Sequence, residues 1–297
     1  MSIEINKKYL DLINGEKLAY IDKGNHDEVI LLIHGNLASS ATMITLIDGL
    51  KDQYRVIAPD LRGFGDSTFI NDFTELKELA FDLVLFCDAL GIKFAHVMGW
   101  STGFGVAMEL ALLEPKLVKS LYSIEGMSVK GYYSKRKDKD GQILKHTIFE
   151  SYDDMKLDKN MLYVPEALKR GDRAFVKNIW ENLLLVRKPL EDQTLLDLYI
   201  DETLKQRCQM NINWCWPTFN ISNESNLYTK GNSRMKDLKC PIYLTLSDHD
   251  NVVIDEMVLE NVRLLKNSKV IKFKDAGHCL HMDQLDLLIA SIKENLK

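Results

Sequence analysis

Apolar residues along this chain keep two rhythms, and the change from one to the other divides it. Between residues 29 and 124, short apolar runs alternate with longer segments in which apolar residues return every third or fourth position. The run Val29-Ile30-Leu31-Leu32-Ile33 has no polar member, as expected of a strand covered on both faces in a parallel sheet. Residues 55–58, the run leading into Ser101, and residues 118–124 read as further strands. Helices are predicted over 42–51, 74–90 and 104–113, the second from Leu76, Leu79, Ala80, Leu83, Val84 and Phe86 on one face and the third stopped by Pro115. Upstream, strands at 8–13 and 16–22 flank Asn14-Gly15, a hairpin turn signal.

From about residue 126 the rhythm breaks, and up to about 237 the chain reads as helical or irregular, with helices at 174–185 and 195–209. A strand at 242–246, a helix at 256–265, a strand at 270–273 and a helix at 285–296 then restore it. Strands alternating with helices through short loops imply an α/β fold with a mostly parallel sheet and helices on both faces. The expected organisation is a core of residues 1–126 and 238–297 with a helical cap, or lid, inserted at 127–237.

Composition changes this picture mainly by exclusion. The 297 residues carry 38 basic and 43 acidic side chains, mixed along the chain, for a net charge of -5. No single-sign field is available for a polyanion, so no nucleic-acid partner is expected. The first residues lack an apolar leader core, and no stretch approaches the length of a bilayer span, so the expectation is a soluble cytoplasmic protein without a membrane partner. Cys87, Cys208, Cys215, Cys240 and Cys279 lack CxxC spacing and read as buried or idle thiols. No phosphate loop, dinucleotide fingerprint or metal-ligand cluster is present, which predicts a reaction without cofactor or metal. Sequence does not fix the oligomeric state, and a homo-oligomer stays open.

Candidate chemistry centres on Gly99-Trp100-Ser101-Thr102-Gly103, where an apolar run ends in a serine between glycines and gives way to a helix. That is the pattern of a nucleophile elbow. A serine hydroxyl is a weak nucleophile near neutral pH and needs a base within hydrogen-bond reach, itself held by an acid. His278, after Gly277 at the end of a predicted strand, is the candidate base. His281 in the same loop reads as structural, and two histidines at that spacing make a poor metal site.

Five motifs in order resemble the α/β-hydrolase family from about Val29 to the C-terminus, apart from the insertion. They are Leu32-Ile33-His34-Gly35-Asn36, the segment from Asp60 to Ser67 matching DxRGxGxS, the GWSTG elbow, the loop from Ser247 to Val253, and Ala276-Gly277-His278. The resemblance implies an eight-stranded sheet and a Ser101, Asp250, His278 triad in the family's chain order. Asp250 stands at the family's acid position, whereas Asp248 reads as a turn residue. Glu125, ending the strand before the insertion, is the rival, because some members of the fold carry the acid there. By the same resemblance the backbone N–H groups of Asn36 and Thr102 form the oxyanion hole, and His34 orders its loop. Serine rather than aspartate at position 101 argues for acyl transfer.

The implied function is that of a carboxylesterase-type serine hydrolase acting on a small or medium acyl ester. Lactones, thioesters, hydroxyalkanoate oligoesters and C–C bonds flanked by carbonyls remain open, as do a non-hydrolytic small-molecule receptor and a cofactor-free peroxidase on the same fold. Tyr132, Tyr133, Trp180, Trp214, Trp216, Phe219 and Tyr228, with Met155, Met161 and Met210, either line an acyl pocket or fill the core of the cap, and at helical spacing the core is favoured. The basic run at 130–139 reads as a solvated loop.

Overall fold

The computed structural model describes residues 5–132, 136, 142, 144, 148–185 and 187–296. Eight strands form one sheet in the order β1-β2-β4-β3-β5-β6-β7-β8. They are β1 (Lys8–Asp11), β2 (Lys17–Lys23), β3 (Val29–Ile33), β4 (Arg55–Pro59), β5 (Ala95–Trp100), β6 (Val118–Ile124), β7 (Ile242–Ser247) and β8 (Ser268–Phe273). Only β1 with β2 and β2 with β4 pair antiparallel; every other neighbour is parallel.

Period-two alternation sorts the strands' side chains into two apolar layers. Leu31, Ile33, Val97 and Leu121 pack on one face, against α2 (Leu76–Ala89) and α3 (Thr102–Leu113). Ile30, Leu32, Met98, Trp100, Tyr122 and Ile124 pack on the other, with Ile44 and Ile47 of α1 (Ile44–Leu50) and Leu288 and Ile292 of the last helix. Burial on both faces accounts for the unbroken apolar run of β3.

Several boundaries differ from the sequence reading for local reasons. β1 stops at Asp11 because Leu12 N–H bonds back to the Glu16 carbonyl at 2.7 Å, closing the Asn14-Gly15 turn. A 3-10 turn, Ser40–Met43, precedes α1, and the Ser39 hydroxyl caps it by accepting from Ala41 N–H. Helix α3 begins at Thr102, two residues before the predicted start at Phe104.

Between β6 and β7 lie α4 (Tyr152–Lys156), α5 (Lys159–Lys169), α6 (Arg173–Ile179), a π turn at Trp180–Leu184, α7 (Gln193–Leu204) and α8 (Gln209–Thr218). The helix predicted over 195–209 ends at Leu204, because the chain turns where Arg207 N–H bonds the Gly63 carbonyl at 2.8 Å and Gln206 points inward, and α8 then starts at Gln209. This helical block is not detached from the sheet. Leu168, Val176, Leu195 and Tyr199 belong to one apolar layer, and Cys208, Ile212 and Cys215 to the other. After β7 come α9 (Asp255–Leu264), β8, a short α10 (Leu280–Asp283) that the sequence reading did not predict, and α11 (Leu285–Asn295), which matches the predicted terminal helix. Among the described residues no helix is long and apolar enough to cross a membrane.

Candidate active site

The chain turns sharply from strand to helix at Ser101. Ser101 adopts φ 53° and ψ -121° between β5 and α3, a conformation that costs a non-glycine residue strain energy. Its backbone is fixed on both sides: the N–H donates to the Ile124 carbonyl at 3.0 Å, and the carbonyl accepts from Phe104 and Met127. The flanking glycines are required by close approach. A Cβ at Gly99 would lie 2.4 Å from Phe104 N, and one at Gly103 would lie 2.5 Å from the carbonyl oxygens of Ile33 and His34. Gly35 brings the loop after β3 alongside the serine, since a Cβ there would sit 3.1 Å from Ser101 Cβ.

Asp250 follows β7 and His278 follows β8, and the two meet, with His278 Nδ1 at 2.8 Å from Asp250 Oδ2. Both side chains are buried. The other carboxylate oxygen, Oδ1, accepts from Val252 N–H at 2.7 Å and Val253 N–H at 2.9 Å, so three N–H groups hold this carboxylate. With Nδ1 turned to Asp250, Nε2 is the nitrogen left for chemistry. Among the described residues no hydrogen bond joins Ser101 to His278. What ties the histidine loop to the elbow is Trp100, whose indole N–H donates to the His278 carbonyl at 2.9 Å, its ring 5.5 Å from the imidazole. The loop is also anchored by Asp283, which accepts from Gly277 N–H at 2.7 Å.

Glu125 stands behind this pair and, among the described residues, makes no hydrogen bond to His278. Its side chain is fully buried, and Oε1 accepts from the hydroxyls of Thr245 and Ser247 at 2.7 and 2.8 Å. Burial, and next the charge of Asp250, push its pKa up to about 8, against the pull of those two hydroxyls. His281 is buried against the Trp100 ring at 4.8 Å with both ring nitrogens unpartnered among the described residues. Burial, with the neighbouring His278, lowers its pKa to about 3, so it is neutral.

His34 is buried and orders its loop, receiving Leu61 N–H at Nε2 (3.0 Å) and donating from Nδ1 to the Gly35 carbonyl (2.8 Å). The adjacent Asn36 is held by Gln206, which donates to Asn36 Oδ1 at 2.8 Å and accepts from Leu37 N–H at 2.9 Å. Thr102 is the first residue of α3, so its N–H has no acceptor within the helix. Its hydroxyl oxygen accepts from the indole N–H of Trp216 at 2.8 Å. Gln206 and Trp216 were not singled out for these contacts from sequence; each meets its partner across more than a hundred residues, and nothing local signals it.

Ser101 opens onto a cavity of about 220 Å³ lined by Ser101, Thr102, Met127, Tyr132, Leu183, Trp216, Asn251, Val252 and Val253. Of the aromatic residues considered in sequence, Tyr132 and Trp216 line it, their rings 5.5 Å apart. Trp180, Phe219 and Met155 are buried, Trp214 packs between Tyr152 and Tyr228, and Tyr133 lies outside the described residues. A larger cavity of about 420 Å³, near Glu109 and Arg234, includes neither Ser101 nor His278 in its lining. Among the described residues the acidic cluster Asp60, Asp66 and Glu202 is spaced to hold a cation, and the ammonium of Lys7 lies within 2.8 Å of all three.

A family model described as alpha/beta hydrolase fold matches residues 28–285. Lipase 1 of Psychrobacter immobilis is 25% identical over 292 residues, which cover 95% of this chain and 81% of that protein. The dihydrolipoyllysine-residue acetyltransferase component of an acetoin cleaving system from Cupriavidus necator is 38% identical over 109 residues, spanning 37% of this chain and only 29% of that relative's length. Among solved structures, a thermophilic esterase from Thermogutta terrifontis superposes with a TM-score of 0.70 over 98% of both chains at 20% identity.

Proposed function

This chain belongs to the α/β-hydrolase fold family, and from that premise we propose that it is a serine hydrolase cleaving small or medium acyl esters through an acyl-enzyme. The observation that carries the reading is the 2.8 Å contact of His278 Nδ1 with Asp250, facing the same sheet edge as a strained Ser101 that opens onto an apolar cavity. In this reading Ser101 Oγ attacks the ester carbonyl while His278 Nε2 takes its proton. Asp250 holds the imidazole in the tautomer that leaves Nε2 free and stabilises the imidazolium that forms. The negative oxygen of the tetrahedral intermediate is received by the N–H groups of Thr102 and Asn36, the first with the positive end of the α3 dipole behind it. His278 then returns the proton to the leaving alcohol, and water repeats the sequence to free the acid.

The cavity supports the choice of substrate. Met127, Tyr132, Leu183, Trp216, Val252 and Val253 offer hydrocarbon walls and no cation, which suits an uncharged acyl chain. Tyr132, Leu183 and Trp216 come from residues 127–237, so in this reading the helical block serves as the cap that closes the acyl site. A fluorophosphonate probe is expected to label the folded protein at Ser101, and a p-nitrophenyl ester panel to be turned over by wild type but not by Ser101→Ala. No labelling of folded protein would sink the reading, and labelling without turnover would replace it with a small-molecule receptor.

A further inference from the structure

The proposed reaction leaves Glu125 without a task, although this carboxyl is built into the back of the site. It sits at φ 45°, another strained non-glycine position at a strand end, with its side chain fully buried. Oε1 accepts from Thr245 and Ser247 of β7, whereas Oε2 faces no N–H or O–H donor among the described residues. A buried carboxylate oxygen without a donor carries its full desolvation cost. The neighbour acting on this carboxyl through charge and side-chain hydrogen bonding alike is Asp250. Two adjoining buried carboxyls do not both ionise. The proton falls to Glu125, because Asp250 receives three N–H groups, from Val252, Val253 and His278, against two hydroxyls for Glu125.

We propose that Glu125 is a positioning residue, a neutral carboxylic acid whose Oε2–H donates to the Asp250 carboxylate and holds it against His278 Nδ1. The inference rests on the serine hydrolase reading for its catalytic consequence but not for the proton itself. No bond is made or broken at Glu125, and its proton stays in place throughout the reaction. The rival assignment from sequence, Glu125 as the charged acid of the triad, is thereby replaced by a different role for the same residue. By sharing the charge of Asp250, Glu125 also moderates its pull on the imidazolium, so loss of the donor should strengthen that pull.

Difference infrared spectra of wild type minus Glu125→Gln at neutral pH should contain the C=O stretch of a protonated carboxylic acid that the variant lacks; a carboxylate pair of bands instead overturns the proposal. Should the variant fail to fold, titrating the same band in 13C-glutamate-labelled wild type gives the answer without it. In kinetics, Glu125→Gln, still a neutral donor, is expected to stay within about threefold of wild type. Glu125→Ala should lose about tenfold in kcat with KM little changed, and the acid limb of its kcat/KM profile should move to higher pH. If Glu125→Gln falls as far as Asp250→Asn, for which a loss on the order of 10⁴ is expected, Glu125 is a charged acid and the proposal is wrong. An acid limb and kcat unmoved in Glu125→Ala also refute it. Fluorophosphonate labelling of wild type reports the hydrolase reading separately, while the infrared band tests the proton even if no label is taken up.

Discussion

At the scale of single residues, the site depends on groups that touch no substrate. Trp100 is fully buried, and its indole N–H is the described link between the elbow strand and the histidine loop. Trp100→Phe keeps an aromatic ring but leaves the His278 carbonyl unpaired, which costs about 1–3 kcal/mol in a dry interior. We expect kcat to fall with little change in KM, together with a lower urea midpoint; a stability loss without a kcat loss would separate the tryptophan from catalysis. Glu125 makes a second prediction, in stability. Its native pKa is raised from the ordinary 4.5 to about 8, so between those values the native state keeps a proton that the unfolded chain has released. Stability therefore falls as pH rises through that window, with at most the slope of a single proton, and levels off above it. In Glu125→Gln this component of the slope should be absent when urea unfolding is followed across the same pH range. The local motifs around Ser101, Asp250 and His278 could be read from sequence because each is only a few residues long. That His278 turns to Asp250 rather than Glu125 was implied only by the family resemblance and not by the residues themselves, since both acids follow neighbouring strands and the packing of β6 against β7 decides.

At the scale of elements, α8 sets the width of the acyl site in the proposed reading. It carries Trp216, which lines the cavity and donates to the Thr102 hydroxyl oxygen, so one side chain joins the inserted helices to the first residue of α3. Trp216→Ala should enlarge a cavity of about 220 Å³ and move the chain-length optimum of p-nitrophenyl esters to longer acyl groups. An unchanged optimum would place the limit elsewhere. The strands and flanking helices of the core were legible from periodicity, because each buries residues at its own repeat. The inserted block was legible only as helical. Its boundary between α7 and α8 depends on Gln206 reaching Asn36 and on Arg207 reaching Gly63, contacts that no period in the sequence encodes.

At the scale of the whole molecule, the chain's first described residues hold distant parts together. Lys7, just before β1, is buried with its ammonium at 2.8 Å from Asp60, 2.8 Å from Asp66 and 2.7 Å from Glu202. Asp60 also accepts from the Ser40 N–H and hydroxyl, and the Ser39 hydroxyl donates to Glu202. One cation thus joins the N-terminal segment, the loop after β4, the turn before α1 and helix α7 of the inserted block. Burial opposes the charge of Lys7, but Asp60 and Glu202 outweigh it and raise its pKa above the ordinary lysine value. Its contribution to stability is therefore complete below that ordinary value and is lost only as pH rises through the higher native one. Removing the ammonium leaves Lys205, bound to Asp66 and Glu202, as the remaining cation of the cluster and strands the buried Asp60 carboxylate. Lys7→Met should destabilise the fold by about 3–5 kcal/mol at neutral pH, the usual result of breaking one side of a buried ion pair. Urea unfolding of wild type and variant at neutral pH tests this: a small deficit would mean that packing rather than charge holds the N-terminal segment to the sheet and to α7.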